Sequence, residues 1–151
     1  MKMIKLGLLV GLLSFLNGFA HADEMLIIRS SQQFEEAMST LQAAIKHHGY
    51  TLAKVQRVDV GLTAKGYKTD RYRVVFFGKG EEVDRLSTKY PQLIPFMPLN
   101  IAIFAEDGET ILTTNRPAVL KSLFPDPKLA KVFDQWDKDM IGIMDEVRET
   151  E

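Results

Sequence analysis

His47 and His48 stand side by side before Gly49 and are the only imidazoles beyond residue 22 of this chain. Paired imidazoles ligate copper or haem iron, and they move protons near neutral pH. Adjacent residues of a helix, however, point about 100° apart, which works against both rings gripping one ion. Helical phase leans His48 onto an apolar stripe and turns His47 to solvent. In the last turn before a glycine stop, imidazoles are also favoured by the negative helix end alone. No metal site and no cofactor is expected from the pair.

A second set of residues has binding chemistry. Asn100 and Phe104 alternate with Leu99, Ile101 and Ile103 along one strand-like run. If the aliphatic set faces the helices, Asn100, Ala102 and Phe104 face away. Arg73, Val75 and Phe77 read as the matching alternate set on a central strand, with Arg57 joining them. Two arginines would pair with an anionic group, Asn100 would orient it and Phe104 would supply contact area. Met97, between Phe96 and Pro98, and His48 stand at the margin of this candidate site. Such a face is too mixed for a core layer and too apolar for water. A second copy of the chain, a small ligand or the Pro91–Pro98 stretch would cover it. A slip of one residue in strand phase would exchange the two faces.

Catalytic signatures are missing. The chain has no nucleophile elbow, no His-Glu-x-x-His and no Walker loop. Gly78-Lys79-Gly80 turns into a helix and offers free N–H groups, yet Glu81 and Glu82 already supply negative charge to that end. Asp59 and Asp70 fall in loops. The expectation is a binding or accessory domain, with two rivals: a hydrolase- or isomerase-like enzyme using His48 or Asp59 as a loop-borne acid or base, and a periplasmic haem- or copper-handling factor.

The elements that must hold these residues begin after a leader. Lys2 and Lys5 precede an apolar run from Leu6 to Phe19, closed by Ala20-His21-Ala22. That is the pattern of a cleavable signal peptide, so residues 1–22 are excluded from fold reasoning and a periplasmic, soluble protein is expected. Residues 23–151 suffice for one domain. There is no cysteine, so neither disulfides nor thiol chemistry is available. The formal net charge of −1 becomes slightly more negative once the leader's two lysines are removed. That balance argues against a nucleic-acid binder. The expected partner is a second copy of the chain, with a small anionic ligand as a further possibility and no membrane contact after cleavage.

Met25 to Arg29 is a short β-type run, and Ser30 with Gln33 has the spacing of a capping box. Phe34, Met38, Leu41, Ile45 and His48 then form one helical stripe. Tyr50 to Val58 reads as a strand, Asp59 to Gly66 as a short helical turn and Arg71 to Phe77 as the central strand. A helix runs from Glu81 to Tyr90, and Pro91 to Pro98 reads as a stiff extended loop. Leu99 to Glu106 and Thr110 to Thr114 form a hairpin about Asp107-Gly108. A short helical piece follows Pro117. Asp126 and Pro127 open the last helix, about 127–148, whose apolar stripe runs from Leu129 to Val147. The order is βα-β-(α)-β-α-ββ-α. It describes an α+β domain with an approximately five-stranded, mixed or mainly antiparallel sheet and helices on one face.

His48-Gly49-Tyr50-Thr51 after the first helix, Val75-Phe76-Phe77-Gly78, and Pro98 to Phe104 followed by Asp107-Gly108 together resemble the domain-of-unknown-function 302 family. The likeness covers roughly Arg29 to Pro117. It implies a small bacterial or archaeal α+β domain, dimeric, with no agreed activity. Family members usually carry Asn-Pro after the glycine that ends the middle strand; here Lys79-Gly80 stands there.

Overall fold

The computed structural model describes residues 24–149, and the expected leader at 1–22 lies outside the described residues. Five strands, β1 (Met25–Ser30), β2 (Thr51–Arg57), β3 (Tyr72–Gly78), β4 (Leu99–Glu106) and β5 (Glu109–Asn115), form one sheet in the order β1-β5-β4-β3-β2. Every neighbouring pair is antiparallel, which narrows the mixed alternative. The helices are α1 (Phe34–His47), α2 (Val58–Thr63), α3 (Gly80–Lys89), α4 (Leu120–Leu123) and α5 (Pro127–Glu149).

Burial is one-sided. Ile28, Leu112, Ile101, Ile103, Val75 and Phe77 join Leu41 and Ile45 of α1 and Phe133, Met140 and Ile143 of α5 in a single core. The α1 and α5 stripes repeat every three to four residues, and that period turns both helices onto the same sheet face. The α5 start matches expectation: the Asp126 carboxylate accepts from the Lys128 N–H at 2.8 Å.

Two local expectations are corrected. Ser30 is the last residue of β1 and not a cap: its hydroxyl donates to the Val147 carbonyl of α5 at 3.2 Å, while Gln33 takes the N-cap position without a side-chain bond. Pro91 to Phe96 is not extended but winds into a 3-10 turn, with Pro91 at its start where no N–H is needed. Leu93 inside it is buried, so the apolar side chains draw the segment onto the core.

An ion pair fixes the return from β5 to α5. Asp137, almost fully buried, accepts from Arg116 Nε at 3.1 Å and Nη2 at 2.5 Å, and from the Ala118 N–H at 3.3 Å. Burial alone would raise its pKa; the Arg116 and Ala118 hydrogen bonds, with the Arg116 and Lys121 charges, more than reverse this and hold it below the usual carboxylate range. A depressed carboxyl contributes stability above its unfolded value of about 3.9 and loses it as pH falls through the folded value. Asp137→Asn should therefore lower unfolding free energy by about 2 kcal/mol at neutral pH. Denaturant titrations below about pH 4 should show the gap to the parent closing.

Candidate functional site

The register separates the residues that sequence phase groups together. Arg73 pairs with Ile103, Val75 with Ile101 and Phe77 with Leu99, so this set faces the helices, and Arg57 lies opposite Arg73 at the strand end. Tyr72, Val74 and Phe76 pair with Phe104, Ala102 and Asn100 on the other face. Asn100 and Phe104 thus keep their expected face while Arg57 and Arg73 leave it. The physical reason lies in Val74-Val75-Phe76-Phe77, which is apolar on both faces and gives no alternation from which to set phase.

Arg73 sits at the α1 end of the covered face, its guanidinium paired with Asp59, donating to the Tyr72 carbonyl at 3.0 Å and lying 5.7 Å from the Phe34 ring centre. The Arg73 hydrogen bond, helped by the Val60 N–H and the Arg73 and Arg57 charges, holds the Asp59 carboxyl below its ordinary value against the effect of burial. A guanidinium so neutralised is committed inside the fold, which removes the expected anion-pairing role. Met97 is half-buried and packs against the core.

The uncovered face carries Met25, Ile27, Thr113, Ala102, Phe104, Tyr72, Val74 and Phe76, none of which belongs to the core that the helices share. Tyr72 and Phe104 rings meet at 5.6 Å. Met25 is 48% and Ile27 62% exposed. At one end of the sheet, Phe96, Leu99, Leu123 and Met140 line a cavity of about 240 Å³, together with Asn100 and Arg116.

A polar seam that sequence reasoning missed runs along α5. Glu146 Oε1 lies 2.9 Å from His47 Nδ1 and 2.9 Å from His48 Nε2. Burial would raise the Glu146 pKa, but hydrogen bonds and charge from the two imidazoles hold it below the usual range. Two turns earlier, Asp139 accepts from Tyr50 Oη at 2.8 Å and from Gln135 Nε2 at 2.7 Å, with Lys79 Nζ at 3.6 Å. Lys79 also stands 4.3 Å over the Tyr50 ring. Lys79, in the turn after β3, is thereby tied to this seam. Trp136 Nε1 donates to Glu82 Oε1 at 2.7 Å, occupying the first turn of α3 where an anion had been one possibility. The sequence signal for the seam was Gly142, a mid-helix glycine between Asp139 and Glu146 that costs about 1 kcal/mol relative to Ala and so marks a close approach.

A five-stranded antiparallel sheet with helices on one face defines the class as a small α+β domain. The chain belongs to the family described as Domain of unknown function DUF302, whose profile matches residues 26–147. It is similar in fold to the crystal structure of an uncharacterized conserved DUF302 protein from Bacillus stearothermophilus, with a TM-score of 0.76 at 20% identity, covering 84% of this chain and 100% of that one. No curated protein matches. Among the described residues no helix is long and apolar enough to cross a membrane.

Burial of Tyr50, followed by its Asp139 hydrogen bond and the Asp139 and Glu82 charges, pushes the phenol far above its ordinary value. A raised folded value means that stability is full below the unfolded pKa of about 10 and is lost as pH rises beyond it. Tyr50→Phe should cost about 1 kcal/mol at neutral pH. It should also flatten the alkaline fall in stability, measured by thermal unfolding across that range.

Proposed function

We propose that this chain is an exported accessory or small-ligand-binding domain, without catalysis of its own, that works as a homodimer through the uncovered sheet face. The observation that carries this reading is the apolar side of the sheet outside the helix-shared core, with Ile27 and Met25 standing in solvent. Strands about 4.8 Å apart, rising about 3.4 Å per residue, give a five-stranded face roughly 24 Å wide and 20 Å or more long. That footprint is roughly 500 Å² in plan, the small end of the interface range beside the about 800 Å² that each partner buries in a standard one. Phe104 stands on the central strand β4 beside Tyr72, one row from the middle row of Val74, Ala102 and Thr113, and offers an aromatic anchor to a two-fold pairing of identical faces. Lys54 and Gln56 on β2 supply a polar rim.

Export is supported by the leader pattern of residues 1–22, with cleavage next to Asp23 and the periplasm as destination. Ligand binding has its own supporting observation in the 240 Å³ cavity, where Asn100 and Arg116 border apolar walls. A small, partly apolar molecule with an acceptor group suits it.

Light scattering on the purified protein should give twice the chain mass, and Phe104→Asp should give a folded monomer. Ile27→Lys at the exposed rim provides a milder variant, with dimer dissociation shifted at least about tenfold. A parent protein that is monomeric at high concentration, or a Phe104→Asp dimer, overturns the reading.

A further inference from the structure

We propose that His47, His48 and Glu146 form a binding site for a divalent transition metal of the zinc type, clasping the end of α1 to α5. The nearest imidazole nitrogens and a Glu146 oxygen all lie within 4.8 Å of one another. The objection that adjacent helical residues diverge is met by the geometry. His47 closes α1, whereas His48 is its C-cap at φ −77° and ψ 8°, where the helix ends. The two rings also use different atoms. His47 presents Nδ1, close to its own backbone, and His48 presents Nε2, at the far side of the ring, so unequal reach brings both to one oxygen. The rings stand edge to face, 5.6 Å apart at 69°.

A second feature is independent of those contacts. Gly142 lies one turn before Glu146 on α5, and a Cβ there would sit 2.6 Å from His48 Cε1 and 3.2 Å from Nε2. The missing side chain is the seat of the His48 ring. An apolar helix–helix contact has no need of such a seat at this position, whereas an imidazole held against the helix does.

Two neutral imidazoles and one carboxylate are a donor set for zinc, with copper(II) and nickel(II) as competitors, and the absence of thiolate disfavours copper(I). Metal–ligand bonds of about 2.0–2.1 Å place tetrahedral donors about 3.3 Å apart. The two 2.9 Å separations are close to that edge already. The third closes by side-chain rotation, for which His47, with 76% of its side chain exposed, has room. The His48 and Glu146 side chains are 23% and 39% exposed, so the site is backed by protein on one side and open to water on the other. Three protein donors plus water complete four-coordination.

The test uses the purified chain without an affinity tag, titrated with Zn²⁺, Cu²⁺ and Ni²⁺ by calorimetry and by competition with a chromophoric chelator. One ion per chain is expected, with a rise in Tm on loading. Glu146→Gln keeps the side-chain shape and should weaken Zn²⁺ at least about tenfold, as should His47→Ala. Gly142→Ala should weaken it by about tenfold or more while the metal-free chain stays folded, the loss of the His48–Glu146 contact being partly offset because Ala favours the helix. That split separates a positioning role from a general loss of structure. Should His48→Ala unfold, Glu146→Gln and Gly142→Ala carry the test. Absence of one-to-one binding, or binding indifferent to Glu146→Gln and His47→Ala, overturns the proposal.

Discussion

Packing of α1 and α5 side by side on a single face of the sheet governs the rest of this molecule. Leu41, Ile45, Phe133 and Ile143 are wholly withdrawn from water against Phe77, Ile101, Ile103 and Leu112. Burial of that many large side chains, at roughly 1.5–3 kcal/mol each, is the main force holding the domain, which has no disulfide to assist it. It also leaves the opposite face without helical cover among the described residues. The same contact brings the C-terminal end of α1 against α5, and so creates the polar seam. Surface and seam are two consequences of one packing choice.

Inside the seam the chemistry is compensated group by group. Tyr50, Lys79 and Gln135 converge on Asp139, and the two imidazoles converge on Glu146. Glu146 and Asp139 lie two turns apart on α5 with Gly142 between them, so one helical face carries both carboxylates. Half-buried carboxylates need such partners, because a charge left alone in a partly dry site is costly. Lys79 gains most from this setting. Its ammonium lies over an aromatic ring and also meets an acid, a combination that suits a flexible amine.

Most of the fold was legible in the residues. The stripes of α1 and α5 set their helical extent, and Asp107-Gly108 marked the β4–β5 hairpin, where both residues take positive φ (51° and 83°). What was not legible was anything that depends on register between strands distant in sequence. The β3–β4 pairing is set by how α3 and the 3-10 turn return the chain, and Val74 to Phe77 is apolar at every position. Arg73 consequently lands against Asp59 and not beside Asn100. The His47–His48 pair was visible but its partner was not, since Glu146 lies about a hundred residues away and nothing local ties it to the end of α1. Gly142 was the only local hint, and its meaning requires knowing which ring lies above it.

Strand order has a consequence for how the chain reaches this state. Met25 opens β1, yet its cross-strand neighbour is Asn115, and the Arg116 N–H extends the ladder to the Glu24 carbonyl at 2.8 Å. The first strand to leave the ribosome therefore waits for nearly all the others before it finds its place. Closures over so long a span are slow, because the entropy of a large loop is lost before any contact compensates it. Strands β2, β3 and β4 pair with their neighbours in sequence, so only β1 at the sheet edge has to wait for the far end of the chain.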